Sequence, residues 1–231
     1  MTTTNKNLLL FLELFALGIV LYLPDALLPL FLDSSDLFNN GKTMMVYSVI
    51  FAIELGIILY YLLGIKKERA QSLGIHRPSW SDLGRCILLL FTIFTIYFAL
   101  IILANLLPPD LLAQMTQGHS WSLGNIALAP IVLLFCFFIG LKEELFFRAI
   151  CIGRLKEWGL PAWAAILLSA LIFSSLHLYE GLLAGIFAFA SALIFGAFYE
   201  KWKNVFVLAC AHGLFNFSIL ILSYFFREQI L

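Results

Sequence analysis

Charge is scarce in this chain. Of its 231 residues, 12% are Asp, Glu, Lys or Arg and 62% are hydrophobic, which excludes an ordinary soluble domain and fits a polytopic helical membrane protein. The formal net charge is zero, so no basic surface is available for nucleic acid. Paired cysteines are missing too. Cys86, Cys136, Cys151 and Cys210 show no C-x-x-C spacing and fall in or at the ends of apolar runs, which reads as reduced packing residues. No small-residue cleavage site accompanies the first apolar stretch, so it reads as a retained span and not a removed signal peptide. Low-complexity tracts, internal repeats and a separate soluble domain are also absent from the sequence. Neither G-x-S-x-G nor H-E-x-x-H occurs, and Ser169, Ser174 and Ser175 carry no sign of activation.

What the chain has is hydrophobic length. Runs of about 18 or more apolar residues read as transmembrane helices. Seven are counted, at about 8–23, 44–64, 86–107, 126–152, 161–179, 182–199 and 205–226. The stretch 24–32, holding Pro24, Asp25 and Pro29, reads as a bent or interfacial end and not a further crossing. In the polar connection that ends at Arg85, Leu73, Ile75, Trp80 and Leu83 are expected to dip into the interface, with Trp80 at headgroup level. Pro108 and Pro109 close the third run, and a polar loop is expected from there to Asn125. The expected fold is all-α, a polytopic membrane bundle of about seven transmembrane helices.

Short cytoplasmic connections carry the excess of Lys and Arg. With the N-terminus inside, the inner segments hold Lys6, Lys66, Lys67, Arg69, Arg77, Arg85, Arg148, Arg154, Lys156, Lys201 and Lys203, and the outer ones hold Lys42 and Arg227. That asymmetry places the N-terminus in the cytoplasm and the C-terminus outside. The sixth run has a small residue at every fourth position, Ala184, Ala188, Ala192 and Gly196, which suits close helix packing inside one bundle better than a dimerisation face.

Residues 141–149, L-K-E-E-L-F-F-R-A, set two glutamates and an arginine inside an apolar, aromatic run. Ionisable groups at membrane depth cost about 2.5 to 3.5 kcal/mol even on the lenient insertion scale and mark functional sites by default. On a helix Glu144 and Arg148 share a face, and Glu143 points about 100° away from its neighbour, so one carboxylate is paired while the other stays free. Phe173 with His177, and His212 with Asn216, are each at i, i+4 on later runs. A hairpin turning between Trp158 and Pro161 brings Glu143 and His177 level, each roughly 22 to 24 Å from the turn. His212 and Asn216 lie roughly 14 and 20 Å along the last helix from Lys203. A carboxylate and an imidazole at one depth can activate a water as general base, and a second imidazole with an amide can stabilise an oxyanion. This is a peptide-hydrolysing arrangement without a protein nucleophile. Singly, most of these groups have a blander reading. Phe173 reads as packing under His177, Glu54 as an internal pair or cavity residue, Glu13 as reaching the interface, His76 and His119 as solvated loop residues, and Cys210 as packing.

Taken together, E-E-x-x-x-R at Glu143, Glu144 and Arg148, F-x-x-x-H at Phe173 and His177, and H-x-x-x-N at His212 and Asn216 resemble the CPBP family of intramembrane proteases. That family includes the type II CAAX prenyl endopeptidases and the bacteriocin-processing or immunity proteins, also called the Abi family. The resemblance covers about residues 80–226, the protease-like core, with 1–79 as N-terminal spans and a basic interfacial loop and 227–231 as a short tail. It implies an active site in a membrane cavity, with Glu143 as the water-activating carboxylate and His177 assisting. It implies His212 and Asn216 as the oxyanion-side pair, and Glu144 with Arg148 as a structural pair. Two cofactor readings stand: no metal, or a divalent ion such as zinc on Glu143, His177 and His212. The implied partners are the bilayer and a membrane-associated peptide or protein, either CAAX-type or a bacterial peptide or leader. The small size resembles prokaryotic members and so a prokaryotic cell membrane. Two functions of other classes compete: a proton-coupled transporter relaying through Glu54, Glu143 and the histidines, although no repeat or pair of broken helices is seen, and a non-catalytic membrane partner protein.

Overall fold

The computed structural model describes residues 3–31, 37–119 and 121–226. In a bilayer core the backbone finds no water, so each apolar run satisfies its own hydrogen bonds by becoming a helix. The helices are α1 (Thr3–Leu27), α2 (Gly41–Leu59), α3 (Trp80–Ala104), α4 (Pro109–Thr116), α5 (Ala129–Glu144), α6 (Ile152–Glu157), α7 (Ala162–Ser175), α8 (Leu182–Trp202) and α9 (Val205–Phe225). α2 continues as a π-helix over Tyr60–Ile65, and a second π-helix, Leu145–Cys151, joins α5 to α6 without a break. Among the described residues there is no strand. Six rods are long and apolar enough to cross a membrane, Ile126–Glu157 counting as one, and the fifth apolar run gives the shorter α7 of 14 residues. The protein is an integral, multi-pass, all-α bundle.

Polar residues set the ends of these helices. The Asn40 side chain accepts from the N–H groups of Lys42 and Thr43, the Asn204 side chain from that of Val207, and Ser79 with Asp82 forms a capping box. The box starts α3 at Trp80, six residues before the expected run, and leaves Trp80 93% exposed. α1 runs through Pro24 and ends in a single 3-10 turn, Leu28–Leu30, in place of a crossing. The loop expected after Pro108 contains α4, because Pro109 sits at a first-turn position where its missing N–H costs nothing. Leu73, expected at the interface, is 3% exposed and part of the main core.

The solvent pattern is inverted relative to a soluble protein. Large apolar side chains such as Phe15, Phe91, Leu134 and Trp163 face outward, whereas Glu54, Lys142, Glu144, Arg148 and Arg154 are buried. A main core joins α1 and α2 to the rest: Leu17, Leu21, Leu55 and Ile58 pack in one cluster with Phe146, Phe147, Phe173, Phe195 and Leu208. The N-terminal helices and the C-terminal helices therefore share one interior.

Basic residues gather at one end of the bundle. There Lys66 and Arg154 each bind Glu13 at 3.0 Å, Lys156 and Lys203 each bind Glu200 at 2.6 Å, and Asn204 donates to Asp82 at 3.1 Å. Three charged residues read from the sequence as near an interface or in a connection lie deeper. The Glu13 and Arg154 side chains are 9% and 6% exposed, and Arg148 is in the core. Of the charges counted for orientation, Arg227 and the Lys6 side chain lie outside the described residues. His76 and His119 are half-buried and engaged, not fully solvated: His76 hydrogen-bonds the Lys203 carbonyl, and the His119 ring packs on Trp121 at 4.3 Å. At the other end, residues 117–119 and 121–125 pack over the turn after α7, where the His119 N–H donates to the Tyr179 carbonyl and Trp121 to Glu180.

Two glycines let α5 and α9 touch. A Cβ on Gly213 would stand 2.8 Å from the Phe137 Cα, and one on Gly140 would stand 2.9 Å from the Ala209 carbonyl oxygen. Backbone, not a flexible side-chain tip, lies opposite, so Gly213→Ala must push the helices apart. The expected cost is about 1 to 3 kcal/mol in unfolding free energy, read in detergent, together with loss of function because His212 is the adjacent residue. The row in α8 packs inside the bundle, with Gly196 against Ile166 of α7.

Candidate active site

The site begins where α5 gives way to the π-helical segment. Bonding from i to i+5 admits an extra residue per turn and re-aims the side chains it carries. Phe146 and Phe147 meet Tyr22 of α1, with ring centroids 5.5 and 5.8 Å away, while Arg148 faces Phe173 of α7 at 4.7 Å and Phe195 of α8 at 5.3 Å. Arg148 is 1% exposed and Glu144 is 0% exposed. The Arg148 Nε lies 3.0 Å from Glu144 Oε2, and its two terminal nitrogens have no hydrogen-bond partner among the described residues, the guanidinium lying instead against aromatic faces.

Glu144 has a second task. Its Oε1 is 2.8 Å from His212 Nδ1 of α9. A carboxylate paired with a guanidinium only accepts, so this bond assigns the proton to Nδ1 and turns Nε2 toward Glu143. The Glu143 Oε2 lies 3.5 Å from that Nε2, the two side chains are 16% and 12% exposed, and the oxygen has no hydrogen-bond partner. Arg148, Glu144, His212 and Glu143 thus form a chain of charged and imidazole groups contributed by α5, the π-helical segment and α9. The link from Glu144 to His212 had no signal in the sequence, since the two residues are 68 positions apart.

His177 reaches the site differently. Its Nδ1 lies 3.0 Å from the Phe173 carbonyl, which only accepts, so Nδ1 holds the proton and Nε2 is left as an acceptor. The Phe173 ring packs on His177 at a 41° tilt with centroids 4.5 Å apart, and lies edge-on to His212 at 6.3 Å, so one ring contacts both imidazoles. No hydrogen bond or ion pair joins His177 to Glu143 among the described residues; the imidazole beside Glu143 is that of His212. Asn216 is half-buried one turn beyond His212, and its side chain makes no hydrogen bond among the described residues. Ser169 donates to the Phe147 carbonyl at 2.8 Å, an anchor for the π-helical segment.

Glu54, read from the sequence as an internal pair or cavity residue, is paired, with a partner that the sequence did not name. Lys142, next to Glu143, binds Asp25 of α1 at 2.6 Å and Glu54 of α2 at 2.9 Å, with its ammonium 4.1 Å from the Phe51 ring centroid. Among the described residues no group of three His, Cys, Asp or Glu side chains is gathered to hold a metal ion. Glu143, His177 and His212 do not converge as a zinc shell requires, and no step below passes through a metal.

These features define a multi-pass membrane protein whose bundle interior holds a free carboxylate beside an oriented imidazole. Residues 125–218 match the family of the type II CAAX prenyl endopeptidase Rce1-like proteins, the group to which the three motifs pointed. The matched segment contains Glu143, Glu144, Arg148, Phe173, His177, His212 and Asn216, and leaves out α1 to α4. No curated protein and no solved structure matches the chain. The apolar helices describe an integral membrane protein, and the family that residues 125–218 match is one of peptidases.

Proposed function

We propose that the protein is an intramembrane endopeptidase that hydrolyses a peptide bond next to the membrane-anchored part of its substrate, using a water activated by Glu143. The observation that carries this reading is the Glu143 carboxylate, whose enclosed Oε2 holds no hydrogen bond among the described residues and lies 3.5 Å from His212 Nε2, while its neighbour Glu144 is tied to both Arg148 and His212. In the reaction Glu143 takes a proton from water, the water oxygen attacks the carbonyl carbon, and negative charge collects on the carbonyl oxygen. The unprotonated Nε2 of His177 assists in holding that water. Asn216, with no other partner, donates its amide hydrogen to the oxyanion, and His212 donates from Nε2 when doubly protonated, with Glu144 and Glu143 as the counter-charges such a ring requires. The proton on Glu143 then passes to the departing nitrogen as the C–N bond breaks. Glu144 and Arg148 orient His212.

The substrate class follows the family: a peptide held at the bilayer, with an S-prenylated cysteine or a bacterial leader sequence as its two forms. The excess of basic residues expected on cytoplasmic connections supports a cytoplasmic setting for the basic end of the bundle and for the N-terminus. The competing transporter reading needs Glu54 free to relay protons, and Lys142 occupies it. The test is cleavage of quenched fluorescent peptides, S-farnesylated and plain, by the purified protein in detergent with and without a chelator. Cleavage by the wild type and none by Glu143→Ala is expected; cleavage that survives in Glu143→Ala would refute the reading.

A further inference from the structure

Two unsatisfied oxygens lie on one patch of helix surface. Tyr22 of α1 packs its ring against Phe146 and Phe147, and the Lys142 ammonium lies 5.2 Å from its centroid. Positions 142, 143, 146 and 147 bound a single four-cornered patch of a helix, since i+4 and i+5 lie above i and i+1. Three of these corners touch the Tyr22 ring, and the fourth is Glu143. The ring is half-buried, yet its hydroxyl oxygen is sealed from solvent and has no hydrogen-bond partner, the same condition as Glu143 Oε2.

Leaving either oxygen unpaired costs roughly 1 to 3 kcal/mol, and buried polar groups left without protein partners are the places where proteins hold ordered water. A hydroxyl donates and a carboxylate accepts. The molecule that satisfies both must accept from one and donate to the other, which is what a single water does. The position of Tyr22 is not left to chance. Asp25, three residues on and on the same face of α1, is tied to Lys142, so one ion pair pins that face against α5.

We propose that Tyr22 is a further catalytic residue, its hydroxyl donating to the water that Glu143 deprotonates and so fixing the water's second lone pair toward the scissile carbonyl. The assignment rests on the protease reading above and adds to it a group from α1, outside the segment that matches the family. No bond to Tyr22 forms or breaks, and the water's proton goes to Glu143.

The test compares wild type, Tyr22→Phe, Tyr22→Leu and Glu143→Ala on the fluorescent peptide that the wild type cleaves. Tyr22→Phe keeps the ring and loses only the hydroxyl, and is expected to lower kcat about ten- to a hundredfold while KM stays within about twofold and the melting temperature is unchanged. A role in packing alone predicts the opposite pattern, with Tyr22→Phe at the wild-type rate and only Tyr22→Leu impaired, and that result overturns the assignment while the protease reading stands. Cleavage retained by Glu143→Ala overturns both. An experimental structure of the unliganded wild type gives a check without turnover: an ordered water bonded to both oxygens supports the proposal, and direct bonding of either oxygen to protein in its place rules it out.

Discussion

Glu143→Gln is expected to reduce the rate of peptide cleavage by about 10²- to 10⁴-fold, the range a general base contributes. The substitution keeps shape and volume and removes only the capacity to take a proton. Oε2 of Glu143 holds no hydrogen bond in the folded protein, so no structural bond is lost with the charge. Stability in detergent should accordingly stay within about 0.5 kcal/mol of wild type, as for substitutions outside the named destabilising mechanisms. Glu144→Gln is the instructive contrast. It weakens the pairing with Arg148 and the hold on His212 together, so its loss of activity comes with a lower melting temperature. Single-turnover rates and thermal unfolding on the same preparations separate the two, and a Glu143→Gln variant that cleaves at the wild-type rate would remove Glu143 from the chemistry.

Lys142→Met is expected to destabilise the protein by about 3 to 5 kcal/mol, the cost of leaving buried charges without their partner. The ammonium side chain is 3% exposed and serves two carboxylates, one of them, Glu54, 4% exposed. Methionine fills the volume of the stem and supplies no charge, so packing loss contributes little and the uncompensated carboxylates account for most of the effect. A second substitution, Glu54→Gln, removes one of those carboxylates and should recover part of the loss. Groups that share a partner do not act independently, and the double variant should therefore be clearly more stable than the sum of the two single changes. Additive effects in thermal unfolding would show that the ion pairs seen here do not bear on stability.

The sequence made the class of fold plain, because backbone in a bilayer has one economical solution and long apolar runs declare it. Local spacing was equally readable. The i, i+4 relation of Glu144 and Arg148 became an ion pair, and the turn at Trp158 to Pro161 formed where proline and glycine marked it. The extent of α7 was not readable. Hydrophobicity continues through Leu178 and Tyr179, yet the helix stops at Ser175, since the chain must turn at Gly181 beneath the packed segment that follows α4. The π-helical segment left no trace either, because Leu145–Cys151 is buried all round and offers no periodic face to betray its winding. Partner choice was the largest gap. Glu54 could be recognised as buried, but Lys142 is 88 positions away and Asp25 is 117 from Lys142, and nothing in either neighbourhood names the other. The same distance hid the bond from Glu144 to His212, which sets the tautomer of that imidazole.

The brevity of α7 has a consequence for the lipid around it. Fourteen residues rise roughly 21 Å, about 9 Å less than a typical hydrocarbon layer of roughly 30 Å. Beyond Ser175 the bundle meets the bilayer with α4, a 3-10 turn and exposed side chains such as Leu176, Leu178 and Tyr179. Acyl chains on that side have no full-length wall to follow, and a thinner leaflet there is the expected response, at a modest cost per ångström. A thinner leaflet shortens the path from bulk solvent to the depth of Glu143. For the proposed protease, which would consume one water molecule per turnover inside an oily phase, a local depression in the membrane surface is a supply route.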